Sequence, residues 1–148
     1  MAEHVKKSHN VSLLVYHLVC PVRFRRVVFT PPRSETFKEI CLGIEKRYEI
    51  TFLEVGTDKD HVHFLIQTVP NISPTEAVTT IKSVTAKQMF KRHPDVKTKL
   101  WDGNFWTSGY YVNTVGHYGN LDMLEDYVKN QGNEAYEQIH QSQATLFA

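Results

Sequence analysis

Between Asp60 and Ile66 the chain reads Asp-His-Val-His-Phe-Leu-Ile, and the alternation in this run restricts the fold more than any other feature. Side chains at i and i+2 leave a β-strand on the same face. His61 and His63 therefore point one way, while Val62, Phe64 and Ile66 point the other. The apolar side calls for a core beneath it. The opposite side then carries two neutral imidazoles together, a ready pair of metal donors once a third ligand arrives from elsewhere.

The neighbouring segments supply the rest of a sheet. Residues 11–20 are rich in Val and Leu with apolar side chains on both faces, which predicts a central strand. Arg23, Arg25 and Arg26 precede Val27-Val28-Phe29, and Pro31-Pro32 ends this extended region. Ser34 is expected to cap a helix whose apolar positions Phe37, Ile40, Cys41, Ile44 and Tyr48 share one face. A strand near 49–56 and a turn at Gly56-Thr57-Asp58-Lys59 lead as a hairpin into the histidine strand, 61–68. Ser73-Pro74-Thr75-Glu76 has the form of a capping box and opens a helix to about Arg92, with Ala77, Ile81 and Val84 inward and His93-Pro94 as its stop. Residues 101–109, with Trp101, Phe105 and Trp106, read as an aromatic loop or short hairpin, and Tyr110 to Val115 as a further strand. Asn120 caps a last helix that Gly132 ends. The order β-α-β-β-α-β plus one helix predicts an α+β, ferredoxin-like (RRM-like) split βαβ fold. Its antiparallel sheet has two helices on one face, and His61 and His63 emerge on the open face.

A chain of 148 residues fits one domain, 1–148, with tails at 1–10 and about 134–148. No apolar run approaches the roughly 20 residues that span a bilayer, and no secretory signal is expected at the start. A cytoplasmic protein is expected, with Cys20 and Cys41 as buried, reduced thiols. The net charge of +1 is uninformative, but its distribution is not. Residues 1–47 hold nine Lys or Arg against four acids, and 81–99 hold six against one, which permits a basic surface for a polyanion.

The last helix presents Leu121, Leu124 and Val128 as an apolar stripe, with Tyr127 and Gln131 about 40° apart at its edge. A phenol and an amide oxygen there could stand beside the histidines. The combination of His61-Val62-His63 with Tyr127 and Gln131 resembles the HUH single-tyrosine transposases of the insertion sequence 200/605 family (transposase A). Further family-like phrases are Tyr16-His17-Leu18-Val19, Lys82-Ser83-Val84-Thr85-Ala86 and Phe105-Trp106-Thr107-Ser108-Gly109-Tyr110. The segment Gly116-His117-Tyr118-Gly119 departs locally from the more charged sequence typical of that family.

That resemblance implies an enzyme that cuts and rejoins single-stranded DNA bearing subterminal hairpins at insertion-sequence ends. Mg²⁺ or Mn²⁺ would be held by His61, His63 and Gln131, and Tyr127 would form a 5′-phosphotyrosine. It also implies a homodimer, with active sites shared between chains when the late helix docks on its partner, in a bacterial or archaeal cell and nucleoid-associated when bound to DNA. Arg23, Arg25, Arg26, Lys82 and Lys87, with Lys91 and Arg92 nearby, are the candidate DNA contacts. Trp101, Phe105 and Trp106 could stack on unpaired bases or close a core. Three alternatives stay open: a non-catalytic single-stranded nucleic-acid-binding module, a host-retained relative acting on repeated palindromes, and a metal-dependent hydrolase using water.

Overall fold

The computed structural model describes residues 2–116, so the helix expected from Asn120, Tyr127, Gln131 and the C-terminal tail lie outside the described residues. Two short strands, β1 (Val5–Lys6) and β2 (Val11–Ser12), pair as a small ribbon. The main sheet is built from β3 (Leu14–Pro21), β4 (Thr51–Asp58), β5 (His61–Thr68) and β6 (Tyr111–Thr114). Its spatial order is β4-β5-β3-β6, with every neighbouring pair antiparallel. Helix α1 (Pro31–Arg47) joins β3 to β4, and α2 (Pro74–Arg92) follows β5. This is the split βαβ arrangement, and its central strands are β3 and β5.

Leu18 and Cys20 of β3 and Val62, Phe64 and Ile66 of β5 meet Phe37, Ile40 and Ile44 of α1 and Ala77, Ile81 and Met89 of α2 in one core. Phe37, Phe64 and Phe105 are fully enclosed there, each side chain contributing roughly 1.5–3 kcal/mol by leaving water. Cys20 and Cys41 are free and buried, and burial pushes both thiols up to about 12. Thr85 is the one polar side chain of α2 among its fully enclosed positions. Its hydroxyl donates to the Ile81 carbonyl at 2.6 Å and accepts from the Trp106 indole at 3.1 Å, so neither buried group lacks a partner. Among the described residues no helix is long and apolar enough to cross a membrane.

Several boundaries differ from those read in the sequence. Helix α1 begins at Pro31, one turn before Ser34, because two prolines at its first positions lack N–H groups that would be orphaned there anyway. Ser34 instead lies inside the helix and its hydroxyl accepts from Thr57 at 2.9 Å. The hairpin turn is Lys59-Asp60, while Gly56, Thr57 and Asp58 continue β4. The capping box at Ser73 and Glu76 is formed as expected, and His93 ends α2. A short helix, α3 (Val96–Lys99), precedes the aromatic loop. Phe105 and Trp106 are core residues, only 1% and 6% exposed.

The second sheet face is less open than the sequence suggests. Val15, Leu65 and Ala2 form a small buried cluster there with Leu13, Leu53 and Val115 against it. An irregularity in β4 between Phe52 and Glu54 lets Leu53 join that cluster while Phe52 and Val55 stay with the helix-side core.

Candidate active site

Register fixes what surrounds the two histidines. With a two-residue turn at Lys59-Asp60, Asp58 faces His61, Thr57 faces Val62 and Gly56 faces His63. On the other side of β5, Pro21 faces His61 and Val19 faces His63. Both histidines thus sit on an internal strand of the sheet, on the face away from α1 and α2. His61 is buried and His63 half-buried, where open solvent was the expectation for both.

Asp60 orients His61. Its Oδ1 lies 2.8 Å from His61 Nδ1, and Arg25 reaches the same carboxylate at 3.3–3.4 Å. Burial alone would raise the Asp60 carboxyl, but the His61 hydrogen bond and the Arg25 charge outweigh it and hold the group below the usual carboxylate range. An ionised Asp60 can only accept, so Nδ1 carries the proton and Nε2 keeps the lone pair. Burial lowers the His61 pKa against the pull of Asp60, and Asp58 Oδ2 stands 3.9 Å from Nε2. This is the carboxylate–histidine arrangement that prepares an imidazole for a metal.

Gly56 gives His63 its place. A Cβ built on Gly56 would lie 1.8 Å from His63 Nε2 and 2.4 Å from Cδ2, so the imidazole occupies the space a side chain would take. His17, from β3, meets the His63 ring edge-on at 6.2 Å between centroids and hydrogen-bonds Asn113 of β6. Burial, then the neighbouring charges of His17 and His61, push His63 down to about 4. The ring is therefore neutral at pH 7. Two neutral imidazoles, one with its tautomer fixed and one seated in a cradle, suit a divalent ion that accepts nitrogen donors. Among the described residues no group of three or more His, Cys, Asp or Glu side chains could hold a metal ion.

The basic residues divide into different environments. Arg25 serves Asp60, and Arg23 Nε donates to Asp102 at 2.9 Å. Lys82 donates to the carbonyls of Thr107 and Gly109 at 2.7 and 3.3 Å, bracing the approach to β6, and burial lowers its pKa. Arg92 pairs with Glu39. Arg26 and Lys87 are exposed. Phe24 and Arg25 have φ of +57° and +51° in a tight 3₁₀ turn (Arg23–Arg25), at roughly 1–2 kcal/mol each. Sequence reading missed Asp60, Gly56 and Phe24. The first two follow from counting back across a two-residue turn, while Phe24 has no periodic signal.

The model of the family described as "Transposase IS200 like" matches residues 10–131. This chain is an IS200-like transposase. The match takes in His61, His63, Tyr127 and Gln131. The chain is similar to the ISDra2 transposase TnpA of Deinococcus radiodurans, 29% identical over 128 residues that cover 86% of this chain and 91% of that one. It is equally similar, at 29% over 131 residues, to the transposase for insertion sequence element IS200 of Salmonella typhimurium, covering 88% and 85% of the two chains. A crystal structure of a Deinococcus radiodurans transposase superimposes with a TM-score of 0.70 at 27% identity, over 86% of this chain and 97% of that one. A REP-associated tyrosine transposase bound to a REP hairpin shares the fold, with a TM-score of 0.54 at 10% identity over 90% and 74% of the two chains. Membership assigns the transposase to DNA transposition and, with it, to DNA cleavage.

Proposed function

We propose that this transposase cleaves and rejoins single-stranded DNA with subterminal hairpins at insertion-sequence ends, using Tyr127 as nucleophile and His61, His63 and Gln131 as ligands for Mg²⁺ or Mn²⁺. The observation that carries the reading is the prepared histidine pair. Asp60 fixes the tautomer of His61 and Gly56 makes room for His63, preparation that two ordinary strand histidines do not need. A bound divalent ion would supply Lewis-acid polarisation of the scissile phosphate.

The residues of the chain do the rest. The Tyr127 phenol, with a reference pKa near 10, gives up its proton as its oxygen attacks phosphorus. The P–O3′ bond breaks, the DNA 3′ oxygen takes a proton, and the 5′-phosphate stays on Tyr127. Rejoining reverses the step: a 3′-hydroxyl attacks the phosphotyrosine and the phenol is regenerated. The bond energy is conserved, so no nucleotide cofactor is required. Exchange of the late helix within a homodimer would bring Tyr127 of one protomer to the histidines of its partner.

Incubation with a hairpin-bearing single strand and Mn²⁺ should give a covalent protein–DNA band, and peptide mass spectrometry should locate the adduct on Tyr127. Tyr127→Phe should abolish it. A surviving band, or cleaved DNA with no protein attached, refutes the nucleophile. Binding that ignores chelator, with no cleavage of any strand, would identify a binding module instead.

A further inference from the structure

Three aromatic residues close together in sequence meet opposite fates. Phe105 and Trp106 are enclosed in the core, while Trp101 is 72% exposed and Phe24 47% exposed. The two exposed rings stack, with 5.8 Å between centroids and 14° between planes. Phe24 reaches that position through the left-handed turn described above, so the strained backbone displays a ring rather than burying one. Polar ties hold the arrangement from below. Arg23 donates to Asp102 and sits 4.7 Å over the Phe24 ring, Asp102 accepts from the Asn104 N–H, and Lys99 donates to the Val27 carbonyl.

Cations line two clefts beside Trp101. Trp101 shares a cleft of about 380 Å³ with Arg26 and Lys99, and a second of about 600 Å³ with Lys87, Lys91 and Lys97. No acidic residue lines either cleft among the described residues. Asp102 and Asp95, the acids nearest in sequence, are engaged by Arg23 and Arg33. An exposed ring surface between groups of cations matches an unpaired nucleotide, whose base stacks while its flanking phosphates meet the charges. A paired base has no free face to offer.

We propose that the Phe24–Trp101 pair, with Arg26 and the surrounding lysines, is a docking site for an unpaired nucleotide of the single-stranded DNA substrate, separate from the histidine site. The inference rests on the reading that single-stranded DNA is the substrate. Arg25, between Phe24 and Arg26, engages Asp60, which orients His61. The Phe24–Trp101 stack is thus joined through the adjacent Arg25 and Asp60 to His61.

The chain has two tryptophans, and Trp106 is buried, so quenching of fluorescence by added DNA reports mainly on Trp101. Affinities come from the anisotropy of dye-labelled strands titrated in chelator on the Tyr127→Phe background, a readout that every Trp101 variant retains and that measures binding without cleavage. A hairpin with unpaired flanking nucleotides should quench the emission, and Trp101→Ala should weaken its binding roughly 5- to 150-fold. Trp101→Phe should recover most of the affinity, and a fully paired duplex should bind both proteins alike. Equal binding of the flanked hairpin by wild type and Trp101→Ala overturns this site alone, as does an equal loss on duplex. Failure of the wild type to bind any single strand overturns the proposed substrate as well. A change in sedimentation without a change in DNA binding would assign the patch to a second copy of the chain and refute the proposal.

Discussion

Replacing Gly56 by alanine tests whether the glycine exists for the histidine. The added Cβ would lie 1.8, 2.4 and 2.8 Å from the Nε2, Cδ2 and Cε1 atoms of His63, far inside van der Waals contact. The backbone of β5 cannot yield, because β4 and β3 bond it on both sides. The ring must swing instead, and a rotation of about 30° off its rotamer costs about 0.5–1.5 kcal/mol. Removing glycine from a strand interior returns roughly 0.5–1 kcal/mol. The two nearly cancel, so unfolding in chelator should shift by no more than about 1 kcal/mol, a few degrees in Tm for a chain of this length. Metal binding should not escape so lightly. Disturbing the support of a ligand typically costs 10–100-fold in affinity, and here the proposed ligand itself would be displaced. Calorimetric or EPR titration with Mn²⁺, beside an adduct assay on a hairpin-bearing strand, would show the dissociation. Undiminished Mn²⁺ affinity in Gly56→Ala, or a collapse of Tm by more than ten or so degrees, would refute the reasoning.

Other outcomes follow from the same geometry. Asp60→Asn should lower Mn²⁺ affinity about 10–100-fold with little change in DNA binding, because the amide no longer enforces the Nδ1–H tautomer of His61; an unchanged titration would remove Asp60 from that role. Metal-free protein should lose stability as pH falls from about 6.5 towards 4. His63 titrates near 6.5 when unfolded and about 4 when folded, so the unfolded chain takes up a proton that the native site rejects. The His63 contribution is up to about 3 kcal/mol, fully restored above pH 6.5, and His63→Asn should make the curve measured by denaturant titration shallower, leaving the losses from His61 and His17, which burial also depresses. Thr85→Val should cost about 1–3 kcal/mol, since the Trp106 indole N–H would stay buried without its acceptor; a midpoint shift in urea below a few tenths of a kcal/mol would contradict this.

What the sequence disclosed depended on periodicity and local chemistry. The alternation through His61–Ile66 identified β5 to the residue, and Ser73 with Glu76 marked the start of α2, because both signals are complete within one turn or strand. The start of α1 was misread because Pro31-Pro32 suits the end of an extended run as well as the first turn of a helix. A glycine suggested a turn that starts three residues too early; its use is steric, and only the cross-strand register displays that. The aromatic loop had no period to separate Trp101, which faces solvent, from Phe105 and Trp106, which close the core. Burial of the histidines was equally hidden, since Gly56 and His17 reach His63, and Asp58 and Asp60 reach His61, only through the cross-strand register and the turn that follows from it.

β5 lies between two partners, and its amides are locked into ladders along nearly its whole length. Strands held this way open only when the entire domain does. For a mobile element, whose copies accumulate unselected substitutions, this means that wear on the surface leaves the imidazoles poised for as long as the chain folds at all. Substitutions on the outer surface reach this strand only by lowering the stability of the domain as a whole.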